Sequence, residues 1–191
     1  MQKLQRSGTV SASIVVACAA VACSDSPTQP EPTPADAETF AIVSMATGAA
    51  WATVPGSSLP VELPCPAGGT RRLDGRIESS EDGDGVRRIE VDLEARQNAC
   101  AFVVQDTRIE TTGESHLTGI TRLRVSVQEQ TLEVLQHEFH EVGEYTTTTD
   151  GRSITCAIDI SHTFQPASNT MRLSGTACGH RIDVERPVLT P

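Results

Sequence analysis

His137-Glu138-Phe139-His140-Glu141 is the run of this 191-residue chain whose residue types could hold a catalytic metal. Imidazoles and a carboxylate are the donor set of many zinc sites. The zinc-protease helix motif needs its second His four places after the first, and here Glu141 occupies that place. On a helix His137, His140 and Glu141 would converge; on a strand His137 and His140 point to opposite sides. The chemistry therefore depends on the element. Leu132, Leu135, Phe139 and Val142 fit helical spacing. The threonines 146–149 disfavour a helix, and Asp150-Gly151 is a hairpin signal. We read residues 131–148 as a long strand. His137, His140 and Glu141 are then weak metal candidates, no catalytic residue is assigned, and no cofactor is expected.

Other reactive patterns are weaker. Ser, His and Asp all occur, but no G-x-S-x-G elbow presents a nucleophile. Cys65-Pro66-Ala67-Gly68-Gly69-Thr70 has paired glycines but no lysine, so it reads as a tight turn and not as a phosphate loop. Asp82 and Asp84 suggest a calcium loop, yet Leu93 stands at the twelfth place, where that loop needs Glu. His162 lies on an apolar face and reads as a hydrogen-bonded core histidine. Trp51, the only tryptophan, reads as a buried anchor.

The elements that would position such groups are organised around residues 154–182. Ile154, Cys156, Ile158, Ile160, His162 and Phe164 alternate with Thr155, Ala157, Asp159, Ser161 and Thr163. That period of two marks a half-buried strand. Pro, Ser and Asn in residues 165–169 make a turn, and folding about Ala167 sets Cys156 opposite Cys178, inside disulfide range. In the returning strand Met171 and Leu173 are odd while Cys178, Ile182 and Val184 are even. One face cannot hold both sets, so a bulge near Gly175 is expected. A Cys156–Cys178 disulfide follows from this geometry. Four cysteines allow three pairings; Cys65–Cys100 is preferred by elimination.

The amino terminus bears on compartment. Lys3 and Arg6 precede an apolar run, residues 10–22, too short for an ordinary spanning helix. It ends at Cys23, before a tract rich in Ser, Pro, Thr and Gln. This leader resembles that of a bacterial lipoprotein precursor, whose lipobox cysteine is lipidated and becomes the first residue of the mature protein. Val15-Val16-Ala17-Cys18 has the usual branched residue three places before the cysteine; Ala20-Val21-Ala22-Cys23 lacks it but leads directly into a polar segment. Cys23 is favoured, with Cys18 as the alternative. The resemblance implies a bacterial cell-envelope location, lipid-anchored and facing the periplasm or the exterior. It implies nothing about the domain that follows.

The expected organisation is a signal peptide over residues 1–22, a disordered Pro/Ser/Thr tether over 23–37, and one disulfide-stabilised β-domain over 38–191. Residues 37–52 are the helix candidate, with Phe40 and Val43 near helical spacing. Strands are expected at 71–79, 86–95, 98–110, 117–128, 131–148, 152–164 and the segment returning through 182, with a last one over 181–188. The fold class is mainly β: an antiparallel up-and-down meander, curved sheet or barrel-like, with one N-terminal helix packed on it. The formal charge is −10. Removing Lys3 and Arg6 makes it about −12, so phosphate backbones are poor partners and no nucleic acid is expected. Expected partners are the membrane, through the N-terminal lipid, and an envelope protein. The leading expectation is a non-enzymatic structural or protein-binding role. A barrel-like carrier of a small apolar ligand is the alternative, and a metal-dependent hydrolase the third.

Overall fold

The computed structural model describes residues 31–50, 59–82, 85–104, 106–126 and 131–187. The leader with Cys18 and Cys23, Trp51 and Asp84 lie outside the described residues. Among the described residues one helix, α1 (Pro34–Ala50), precedes eight strands: β1 (Val61–Pro64), β2 (Thr70–Asp82), β3 (Val86–Val104), β4 (Thr107–Ser126), β5 (Thr131–Thr149), β6 (Arg152–Gln165), β7 (Thr170–Ala177) and β8 (His180–Pro187). The strands form one sheet in sequence order, every neighbouring pair antiparallel. The first and last strands do not join. The protein is thus an up-and-down meander, curved and unclosed, with α1 packed on it.

The start of α1 has a clear local cause. The Thr33 amide donates to Asp36 Oδ2 at 2.7 Å, and the Asp36 amide donates to Thr33 Oγ1 at 3.3 Å. This reciprocal pair satisfies amides that a helix start leaves open, and Pro34 follows the cap, where its missing N–H costs nothing. The last four residues of the expected tether, 34–37, are therefore helical. Ala37, Phe40, Ala41 and Ser44 make one buried stripe at helical spacing, with Val43 beside it. Arg152 in the β5–β6 corner donates to Asp36 Oδ1 at 3.0 Å and fixes the helix start against the sheet.

Period-two patterning puts Leu73, Val91, Leu93, Ala95, Leu117 and Phe139 on the concave face, in one apolar cluster. A second cluster, under α1, joins Phe40 and Ala41 to Tyr145, Ile158, Ile160 and Leu173. A third surrounds Cys65, Cys100 and Val43. Glycine faces an aromatic residue twice across the β4–β5 ladder. Gly113 pairs with Tyr145 and Gly119 with Phe139. A Cβ on either glycine would sit 2.9 Å or 2.6 Å from a ring carbon of its partner, so the missing side chain lets the ring lie over the neighbouring strand.

Three expectations need correction. The β6–β7 register runs unbroken from Gln165–Thr170 to Ile158–Ala177, so Gly175 carries no bulge. The parity change lies instead at Cys178–Gly179. Both have positive φ, 54° and 77°, and they form a two-residue loop between Ala177 and its partner His180. The returning segment is therefore two strands. Next, the segment expected as one strand over 98–110 is the end of β3 and the start of β4, reversing near Asp106, whose φ is 66°. The interruption expected before residue 98 is a register shift between Gln97 and Cys100, with Ala99 at φ 49°; the strand continues through it. Finally, β1 lies where no strand is expected, ahead of the first one at 71–79. Residues 131–149 are strand throughout, as expected.

Candidate functional site

Strand geometry divides the His137, His140 and Glu141 trio. His137 and Glu141 point to the concave side. His140 is on the outer face, exposed, with Nε2 2.7 Å from Asp159 Oδ1. The trio therefore cannot share one ion. Among the described residues no group of three His, Cys, Asp or Glu side chains is placed to hold a metal. His137 packs on Phe139, ring centroids 4.4 Å apart, and its Nδ1 lies 3.0 Å from Thr121 Oγ1. Burial pushes its pKa down to about 4, so this imidazole is neutral near pH 7.

The notable constellation is a polar layer inside the concave face, around Glu141. Along β5, Glu141 falls between Phe139 and Tyr145, which belong to different apolar clusters. Gln97 on β3, Ser115 on β4 and Arg71 on β2 are buried beside cluster residues in the same way. Glu141 has no exposed surface. Its Oε1 is 2.6 Å from Ser115 Oγ and 2.7 Å from the Tyr145 hydroxyl, and these two hydroxyls are 2.5 Å apart. Its Oε2 is hydrogen-bonded to Ser44 Oγ of α1, and Ser44 Oγ is 2.8 Å from His162 Nε2 on β6. One carboxyl group thus ties the helix to three strands.

Burial pushes the Glu141 carboxyl up, against the hydrogen bonds of Ser115, Ser44 and Tyr145 and the charge of Arg71, which favour its anion. Burial likewise pushes the Tyr145 phenol up. The His162 imidazole is driven down to about 4, by burial first and then by repulsion from His137 and His140. Burial also lowers the Arg71 guanidinium, which lies over the Phe102 ring at 5.5 Å from its centroid, with Nη2 3.8 Å from Cys100 Sγ.

Ser, His and Glu in contact invite comparison with a nucleophilic triad. There the imidazole stands between the hydroxyl and the acid, taking the proton of one and being oriented by the other. Here Ser44 stands between Glu141 and His162. All three are at most 2% exposed, so a substrate carbonyl has no approach. The arrangement holds elements together. It does not present a nucleophile.

His162 fulfils the expectation of a hydrogen-bonded core histidine. Ser44, Ser115 and Tyr145 were not singled out for this role. Their signal was parity: Ser44 continues the apolar stripe of α1, and Glu141 shares the inward parity of Phe139 and Tyr145.

Both disulfides form as expected, Cys65–Cys100 with Cα atoms 5.4 Å apart and Cys156–Cys178 at 4.6 Å. Cys178 is not opposite Cys156. It sits one place off, its amide donating to the Ala157 carbonyl at 3.1 Å, and its left-handed backbone aims the sulfur back to Cys156. Two such bonds are compatible with an exported, non-cytoplasmic protein. Among the described residues no helix is long and apolar enough to cross a membrane.

The outer face carries a shallow depression of about 330 Å³ lined by Arg76, Glu78, Glu90, Asp92, Thr118 and Ile120. Its charges are already paired, Arg76 with Glu78 at 3.2 Å and Asp92 with His116 at 2.7 Å. Comparison with family models, with curated proteins and with solved structures found no match.

Proposed function

We propose that this chain is an exported β-domain, held at a bacterial cell envelope by a lipid on Cys23, with a structural or protein-binding role and no catalytic activity. The observation that carries this reading is the occupancy of the concave face. Where a carrier would hold cargo, α1 lies against β5–β8, and the densest set of reactive side chains is sealed beneath it. The outer face is charged and accessible, suited to solubility and to contact with another protein. The hydrolase reading loses its basis, because it required His140 on the same side as His137 and Glu141.

The anchor is tested by expressing the full chain in a bacterial host with labelled fatty acid. Label is expected in the wild type and in C18S, and its loss in C23S. Label that depends on Cys18 moves the anchor; no label at either cysteine overturns it.

The apolar-carrier alternative keeps one observation in its favour. The clusters under β2–β4 extend beyond the helix, and Ile77 and Ile89 at their margin are only half-buried. Saturable, stoichiometric binding of a fluorescent acyl chain to the purified domain, absent in the denatured protein, would replace the leading reading with this one.

A further inference from the structure

Proton counting around Glu141 gives a result that its distances alone do not. Five short contacts join Glu141, Ser44, Ser115, Tyr145 and His162. Each needs one hydrogen between its two heavy atoms. Ser44, Ser115 and Tyr145 bring one hydroxyl hydrogen each, and His162 can bring one on Nε2. That makes four. The shortage is plainest in the triangle of Glu141 Oε1, Ser115 Oγ and Tyr145 Oη. Its three edges of 2.5–2.7 Å contain only two hydroxyl hydrogens. If both point at a carboxylate, the two hydroxyl oxygens face each other at 2.5 Å with nothing between them. A hydrogen on the carboxyl completes the ring, with every oxygen donating once and accepting once.

We propose that Glu141 is a neutral carboxylic acid in the folded protein, and that its proton is the pin that holds α1 on the sheet. The groups facing it are Ser44 from α1, Arg71 from β2, Ser115 from β4, Tyr145 from its own strand and His162 through Ser44, with Gln97 from β3 and His137 from β5 one step further out. Of these only Arg71 is charged at neutral pH, and it favours the anion. Desolvation of a carboxyl group with no exposed surface acts the other way and is the larger effect. The guanidinium also has the Phe102 ring as a partner. When the proton passes to solvent base, the triangle loses the hydrogen of one edge and a buried carboxylate remains, held by hydroxyls and Arg71 but without water. Release of the helix relieves both, because water then reaches the carboxylate and the two facing hydroxyls.

The sign follows from linkage. A carboxyl group whose folded pKa is raised stabilises the closed state fully below its ordinary value, and this contribution is lost as pH rises to the folded value. Within that window the equilibrium for releasing α1 rises by about tenfold per pH unit. His162 acts in the opposite sense up to its ordinary value, about 6.5, so Glu141 is isolated only above that.

The test is amide hydrogen exchange on the full chain from about pH 6.5 to 9, corrected for intrinsic rates, with residues 38–45 of α1 compared with β6. Protection in α1 is expected to fall with pH and to stay below that of β6 throughout, because α1 opens by its own release and β6 only with the whole domain. In E141Q, which mimics the neutral acid in shape and carries no ionisable proton, α1 protection is expected to stay level. The infrared carbonyl band of a protonated carboxyl group should be present in the wild type at neutral pH and absent in E141Q. Should E141Q fail to fold, that band in the wild type, insensitive to solvent acid down to pH 5, still decides the protonation state. Level α1 protection in the wild type overturns the pin, as does the absence of the band. Equal protection in α1 and β6 overturns it too, since the helix would then open only with the whole domain.

Discussion

Ser44 shows how much one hydroxyl can carry in a dry interior. It lies on a helix stripe otherwise made of Ala37, Phe40 and Ala41, and it meets both Glu141 and His162. An isolated serine there would cost free energy through desolvation; two partners offset it. Removing the hydroxyl leaves a buried oxygen and a buried nitrogen without their shared partner. S44A should therefore destabilise the domain by about 1–3 kcal/mol, more than an exposed serine would, as read by the urea midpoint. An unchanged midpoint would mean that the helix is held by apolar packing alone.

At the scale of elements, the two disulfides close different seams. Cys65–Cys100 joins the segment between β1 and β2 to β3, with a sequence separation of 35; Cys156–Cys178 joins β6 to the β7–β8 corner, with a separation of 22. Loop-closure entropy assigns each about 3–4 kcal/mol, slightly more to the longer loop. Serine pairs at 65/100 and at 156/178 should each lower the thermal midpoint, the first slightly more, by calorimetry at fixed pH. The reverse order would show that strain in the sheet, not chain entropy, sets the value. The helix contributes differently: its cap at Thr33 and Asp36 fixes where it starts, while its buried stripe and Ser44 fix where it sits.

For the whole molecule, the buried histidines make stability depend on pH on the acid side. His137 and His162 have folded values of about 4 against an ordinary value of 6.5. A depressed histidine contributes stability above its unfolded value, lost as pH falls toward the folded one. For His162 the loss is on the order of 3 kcal/mol between pH 6.5 and 4. Denaturant midpoints should fall over this interval, and H162N, which cannot charge, should reduce the slope. A slope unchanged in H162N would assign the acid sensitivity to other groups. The carboxyl proton at Glu141 acts with the opposite sign as pH rises above its ordinary value of 4.5; the two histidines outweigh it up to about pH 6.5 and it acts alone above, so the domain is expected to be most stable near pH 6.5.

How much of this was legible depended on whether a feature is local. Thr149-Asp150-Gly151-Arg152 forms its hairpin loop from two residues suited to positive φ, so sequence alone located it. Alternation on β3 and β6 fixed which side faces inward, and with it the concave position of His162. The up-and-down order also followed, because no long connection separates the strands. The parity change expected as a bulge at Gly175 has another local cause: Cys178-Gly179 is a tight loop, so the cysteine is a loop residue and not a strand residue. The strand division near residue 98 failed for a tertiary reason, since β3 keeps its pairing through a register shift that only its neighbour β4 defines.

The amino-acid sequence by itself determined the strand periods and the Asp150-Gly151 hairpin, because each depends on residues near in the chain or on a parity of two, and it left the Cys65–Cys100 pairing to elimination. Tertiary structure alone decided that Glu141 would meet Ser44, 97 residues away in sequence, whereas the turning of His140 from His137 already follows from strand parity. Burial of a carboxyl group is set by the curvature of a sheet and the seating of a helix, and neither is encoded within reach of that residue.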